Sequence, residues 1–181
     1  DPSYALIDSN HSQEPTLECF VPSRNQRLIA VSSESNVANR YSKLLEARLP
    51  VFSSFFSDKI MLLMVPEGAR SLTSMLTSVA RHPRSAEPVF AQAGRLFSEM
   101  YESGVGLPKL PALDQLAFVA DPDTKTGAMI YVIPPYLTSP DLSRNDFLDQ
   151  LSMELDLAGN LGNLAIDRLV DVVRQGWDGN S

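Results

Sequence analysis

The sequence predicts an α+β fold in which a strand-rich first part precedes a mainly helical remainder. Three observations carry this. Two β-rich runs, 17–21 and 27–31, lie on either side of a group of turn formers. Apolar residues then recur at steps of three and four in several later stretches, the period of one helix face. A second pair of β-rich runs, 116–119 and 128–133, interrupts the helical part. With 181 residues the chain suits one domain, or two small lobes sharing a core, because domains run to about 100–200 residues. A chain of that size buries roughly 70% of its unfolded surface, so neither disulfides nor a metal is needed for stability.

Residues 1–16 form a polar leader carrying Pro2 and Pro15, read as a mobile segment or a short edge strand. Leu17–Val21 and Arg27–Val31 make a hairpin across Pro22-Ser23-Arg24-Asn25-Gln26. Val37, Tyr41, Leu44, Leu45 and Leu49 mark a helix that Ser32 or Ser33 can cap and Pro50 stops. Lys59–Val65 is an unbroken apolar run closed by Pro66-Glu67-Gly68, which predicts a strand buried on both faces. The expected organisation is a small β-rich lobe with one helix over 17–66 and a larger, mainly helical lobe over 67–181.

A short helix follows around Leu72, Met75, Leu76 and Val79. Pro83 and Pro88 bracket a loop, with Pro88 in the first turn of the next helix. Val89, Ala93, Leu96, Phe97 and Met100 stripe that helix, and Gly104 ends it. Residues 106–111 are a Pro-rich loop. Leu116–Val119 and Ala128–Ile133 form a second hairpin around Asp121–Gly127, and Pro134-Pro135 terminates it. Ser143 with Asp146 resembles a capping box for a helix presenting Phe147, Leu151, Leu155 and Leu157. Gly159 and Gly162 interrupt it. Leu161, Leu164, Ala165, Leu169, Val172 and Val173 then stripe a final helix toward Trp177.

Composition excludes several classes of chemistry. The net charge of −7 and a pI near 4.8 count against nucleic acid or anionic membrane as partner, since both demand a cationic surface. Cys19 is the single cysteine, so no intrachain disulfide forms and a Cys-based zinc site lacks ligands. His11 and His82 are far apart in sequence and lie in polar, loop-like surroundings. No apolar run approaches the roughly 18 residues of a membrane span, no signal peptide is recognisable at the start, and the expected location is the cytoplasm. A chain starting at Asp1 rather than Met implies processing, trimming or excision from a longer one.

The order of elements resembles the protein-kinase-like fold in a reduced form. Arg27–Val31 with the Asn36–Leu49 helix looks like the third strand and regulatory helix of the small lobe. Ile60–Leu72 is similar to the last small-lobe strand and the hinge. Ala93–Val105 resembles the helix before the catalytic loop, with Tyr101 where many kinases carry His. Asp114–Val119 and Met129–Pro134 look like the strand pair flanking the metal site.

That resemblance implies charged groups with stated jobs, because phosphoryl transfer is mainly positioning and charge neutralisation. Where the third strand should supply a phosphate-binding Lys, the chain has Leu28-Ile29-Ala30-Val31; Lys43 lies on the following helix. The first hairpin turn contains no Gly to admit phosphates. Lys109 falls about where the catalytic Asp belongs, Asp114-Gln115 near the metal-binding Asn, and Pro134 where the metal-binding Asp should follow Ile133. The resemblance therefore implies a kinase-like (pseudokinase) module with no catalytic residues, no metal ligands and no cofactor. Its role would be regulatory or signalling, through a protein partner.

Other features have plainer readings. The Asp121–Asp123 pair suits ordinary turn chemistry better than a cation site. Met61, Met64, Met75, Met100, Met129 and Met153 are read as core fillers, and Arg40, Arg48, Arg70, Arg81, Arg84 and Arg95 as solvated. Trp177 is expected to dock the last helix. Two rival readings stand beside the leading one. In the first, a minimal atypical kinase binds ATP and Mg²⁺ through Asp114, Asp121 or Glu46. In the second, an unrelated α+β adaptor or assembly subunit forms homo-oligomers through Leu161, Ala165, Leu169 and Val173.

Overall fold

The fold is seen in a computed structural model that describes residues 4–7, 16–21, 26–79, 83–109, 111–120, 128–132, 141–158 and 161–179. Strands β1 (Tyr4–Ile7), β2 (Thr16–Val21), β3 (Gln26–Ser32), β4 (Ser53–Phe56) and β5 (Ile60–Val65) form a five-stranded sheet in the order β1-β2-β3-β5-β4. Every pairing in it is antiparallel. Helix α1 (Asn36–Glu46) joins β3 to β4. The chain then forms β6 (Arg70–Ser71), α2 (Leu72–Val79), α3 (Pro83–Glu102), a 3₁₀ turn at Leu113–Gln115, β7 (Leu116–Ala120), β8 (Ala128–Val132), α4 (Arg144–Leu157) and α5 (Asn163–Trp177). Strands β6, β7 and β8 make a second, three-stranded antiparallel sheet. The result is a small strand-rich lobe with one helix beside a larger, mainly helical lobe.

Both expected hairpins are present, and the polar leader contributes strand β1 at the edge of the sheet. Several boundaries differ for identifiable reasons. Helix α1 is capped by Ser35, not Ser32 or Ser33: the Ser35 hydroxyl accepts the Ala38 N–H at 3.1 Å. Ser33 instead ties β3 to the β4–β5 turn, its hydroxyl donating to the Asp58 carbonyl at 2.9 Å. Nor does Pro50 stop the helix. Leu49 N–H reaches back to Leu44 C=O at 3.0 Å and Arg48 N–H to Leu45 C=O at 2.9 Å, with Arg48 left-handed at φ 58°. This is the Schellman arrangement, with Arg where Gly is usual.

Strand β5 is buried on one face only, not both. Met61, Leu63 and Val65 face the core, whereas Ile60 and Met64 are 46% and 42% exposed. The continuous apolar run therefore signals two apolar faces, one of them open. The segment 83–88 is helix rather than loop. Pro83 takes the first helical position, where its missing N–H costs nothing, and Pro88 lies inside α3. On α4 and α5, Leu157 and Leu164 are 81% and 87% exposed, and Ile166 and Val170 fill the core positions instead. Met61 and Met100 are fully buried, but Met64 and Met153 are exposed. His11, His82, Asp121, Asp123, Pro134, Pro135 and Gly159 lie outside the described residues, as do Arg81 and the side chains of Cys19, Val79 and Met129.

Two cores result. One lies under the small sheet, where Val31, Val37, Tyr41, Phe52, Met61 and Leu63 meet. The larger one gathers α2 to α5 around Phe90, Phe97, Met100, Phe147, Leu151 and Leu169. The stripes on α3 and α5 interlock most closely at two glycines. A Cβ built on Gly94 would collide with the Val173 carbonyl, and one on Gly176 with the Ala91 carbonyl. Glu87 and Arg168 clamp the same pair of helices through two bonds of 3.1 and 3.0 Å. The guanidinium beside it holds the Glu87 carboxyl below its usual range. Trp177 docks as expected, its ring 5.7 Å from Tyr101 and 6.2 Å from Phe147, with the Arg144 guanidinium 5.6 Å from its centre. Leu169 and Val173 are thus consumed inside the chain, so the expected oligomerisation face on α5 is not free.

Three substitutions test the glycine contacts and the left-handed turn, with opposite signs. Ala favours helices over Gly by about 1 kcal/mol, yet Gly94→Ala and Gly176→Ala are each expected to lose about 2–3 kcal/mol in urea unfolding, because backbone must move. Arg48→Gly is expected to gain about 0.5–1 kcal/mol, the relief of left-handed strain less the added freedom of the unfolded chain.

Candidate functional site

The segment 103–115 occupies the position where the kinase resemblance places a catalytic loop. Helix α3 ends at Glu102, and Gly104 and Gly106 adopt φ of 72° and 94°, a path that side chains resist. Leu107 then plunges into the core, Lys109 emerges into solvent, and Ala112 and Leu113 are again fully buried. Alternation of anchored and exposed residues fixes the loop at both ends.

Gln115 governs its interior. Its side chain is completely buried, and no other amide, Ser, Thr or charged side chain among the described residues is. The amide nitrogen donates to the Lys109 carbonyl at 2.7 Å and lies 3.5 Å from that of Pro111. Its Oε1 is buried without a hydrogen-bond partner among the described residues. The residue near the expected metal-ligand position is therefore turned into the loop and spends its amide on main-chain carbonyls. Asp114, its neighbour, is exposed.

A second grip comes from α4, and the local sequence pattern marks it only faintly. Glu154 lies between the core residues Leu151 and Leu155, and its two carboxylate oxygens accept the Ala112 N–H at 2.8 Å and the Leu113 N–H at 3.0 Å. Burial raises the Glu154 carboxyl above its ordinary value; the two backbone bonds oppose that shift, and the Asp114 charge adds to it. The one sequence signal was an acidic residue set beside an apolar helix stripe.

The other candidate residues that the structure describes lie on the small lobe. Lys43 and Glu46 are exposed on α1, and β3 presents Leu28 to Val31, of which Val31 is buried. No cluster of three or more His, Cys, Asp or Glu side chains that could hold a metal occurs among the described residues. A cleft of about 390 Å³ between α4 and α5 is lined by Ser152, Met153, Asp156, Asn163, Ile166 and Asp167, with no residue from the 103–115 loop. No described helix is long and apolar enough to cross a membrane.

The tether predicts a split between two variants. Glu154→Ala leaves two buried N–H groups unpaired and should cost about 2–4 kcal/mol. Glu154→Gln keeps an acceptor and should cost distinctly less. The folded pKa is raised, so the group favours the folded state most below its ordinary 4.5 and loses that contribution as pH rises through the raised value. Urea unfolding at a series of pH values should show this decline in the parent protein and its disappearance in Glu154→Gln.

No protein-family model matches the chain, and no curated protein sequence does. Solved structures do. WaaP in complex with acyl carrier protein superposes with a TM-score of 0.65 at 11% identity, covering 99% of this chain and 80% of that one. The PAN3 pseudokinase of Drosophila melanogaster aligns at 13% identity with a TM-score of 0.44, covering 98% of this chain and 57% of that one. With its small antiparallel sheet, single small-lobe helix and helical second lobe, the chain has a protein-kinase-like fold.

Proposed function

We propose that this chain is a non-catalytic, kinase-like module that acts through its surfaces on a protein partner in a regulatory role. The observation that carries the reading is Gln115. Phosphoryl transfer needs a loop whose polar groups face the metal and the attacking hydroxyl. Here the loop's central amide is buried, bonded to Lys109 C=O, and the loop backbone is held from behind by Glu154. Lys109 stands at the position of the catalytic base, so an amine side chain replaces the carboxylate that would accept a proton from a substrate hydroxyl. The strand that would carry a phosphate-binding Lys offers aliphatic side chains instead.

In this reading the lobes divide at about residues 66–67, where Ala69 N–H closes a turn onto Pro66 C=O at 3.1 Å and Gly68 takes φ 74°. Their interface works as a rigid body rather than a nucleotide cleft. The chain takes no cofactor, catalytic metal, nucleic acid or membrane, and it works in the cytoplasm. The likeness to WaaP, a structure solved with a carrier protein bound, supports a protein as the partner class.

A ligand that binds only the folded state must raise its melting midpoint, by about 2.7 kcal/mol of stability at a hundred times Kd. Titration with millimolar ATP and Mg²⁺ is therefore expected to leave the midpoint unchanged. A magnesium-dependent rise, or transfer of labelled phosphate to any substrate, would overturn the proposal in favour of an atypical kinase.

A further inference from the structure

Among the described residues, strand β4 lies at one end of the five-stranded sheet with no strand beyond it, and natural sheets normally shield such edges with charge, Pro, bulges or covering segments. This one carries Ser53-Ser54-Phe55-Phe56, and no ionisable side chain occurs anywhere from Leu49 to Ser57. Phe55 and Phe56 are 62% and 44% exposed.

Hydrogen-bond phase fixes which groups the edge presents. Ser57 N–H donates to Ile60 C=O at 2.9 Å across the two-residue turn Asp58-Lys59, so 57 and 60 form a bonded pair. Bonded and non-bonded pairs alternate along antiparallel strands. In the observed register, Phe55↔Leu62 and Ser53↔Met64 are thus bonded pairs, and Ser54 and Phe56 turn their main-chain groups away from β5. Two independent contacts agree with this phase. The Pro50 carbonyl, an even-numbered neighbour, accepts from Val132 N–H at 2.8 Å, and the Phe52 carbonyl accepts from the Tyr41 hydroxyl. The outward carbonyls at 50 and 52 are therefore satisfied, and the row continues through 54 and 56.

We propose that this edge pairs with the same edge of a second copy, antiparallel, about a two-fold axis through Phe55. In that register Ser54 faces Phe56 of the other copy, and the four outward N–H and C=O groups of each copy are all matched. Phe55 meets its own counterpart in a non-bonded pair, where side chains come closest and aromatic pairs are favoured. The register is thus self-complementary, as a two-fold contact requires. Charge points to the same occupant. Two chains of net charge −7 repel over most of their surfaces, and 49–57 is a stretch where they meet without opposing carboxylates. On the face shared with Phe55, the paired rows add Leu62, Ala30, Met64 and Leu28, none charged. A four-residue edge is about 14 Å long, small against a standard interface, so the dimer is weak, with Kd on the order of 10–100 μM.

Sedimentation velocity from about 5 to about 500 μM protein tests it. The wild-type chain should move from monomer toward dimer across that range. Phe55→Lys should remain monomeric with an unchanged melting midpoint, because residue 55 is solvent-facing in the monomer. Register is read separately: Cys19→Ser/Phe55→Cys should form a disulfide-linked dimer under mild oxidation, since Cα atoms about 4.5 Å apart lie in disulfide range. Cys19→Ser/Lys59→Cys should not. A monomer at every concentration, a dimer that survives Phe55→Lys, or a dimer that fails to crosslink at 55 would each overturn the proposal.

Discussion

Leu49 to Phe52 tie the two lobes together, alongside Leu44 of α1 in the large core and Ala117 of β7 in the small one. Arg48, in its left-handed conformation, turns the chain out of α1, and each of the next residues then makes a contact that the others cannot. Leu49 enters the large core. Pro50 offers its carbonyl to Val132, and Val51 bridges to that residue while packing against both cores. Phe52 fills the small core, sets its ring 5.6 Å from Tyr131, and gives its carbonyl to the buried Tyr41 hydroxyl. Burial pushes that phenol above its usual range, against an opposing bond with Ser54. In an extended segment a slip of one residue exchanges the two faces. Such a slip would place Val51 and Phe52 on the wrong sides and unpair Tyr41. The register of this joint, more than any single burial, sets how the sheet lobe sits on the helices.

Much of the fold was legible because its strongest signals are local. Helical stripes at 37–44, 89–100 and 147–155 map directly onto buried faces, and turn formers located both hairpins. The Ser143–Asp146 cap was also readable, although the Asp is one methylene short. It accepts the Ser143 hydroxyl at 2.6 Å, while that hydroxyl caps the Asp146 N–H. Legibility failed where apolar residues outnumbered the buried positions. Nothing local says that Met64 and Leu164 face water while Val65 and Ile166 do not; the choice is made by what packs against each element. Strand β4 escaped notice because four residues are too few for a period to show.

The candidate site divides in the same way. The mismatched residues, Lys109 and the Leu28–Val31 stretch, could be read from order alone once the kinase-like layout was recognised. What holds the loop could not. Glu154 reaches a backbone 41 and 42 residues earlier in the chain, and Gln115 closes onto carbonyls whose positions depend on two left-handed glycines. These are tertiary contacts between a side chain and main-chain atoms, and main-chain atoms leave no trace in a sequence pattern.

Trp177 has a consequence beyond packing. It is the sole tryptophan, and its neighbours Tyr101, Phe147 and Arg144 all belong to the helical lobe. Intrinsic emission excited at the indole band therefore watches that lobe alone, whereas peptide ellipticity sums over both. The molecule carries its own one-sided reporter. Coincident denaturation curves from the two signals would mean that the halves melt as a single cooperative unit. A gap between them would measure the free energy transmitted across the Leu49–Phe52 joint.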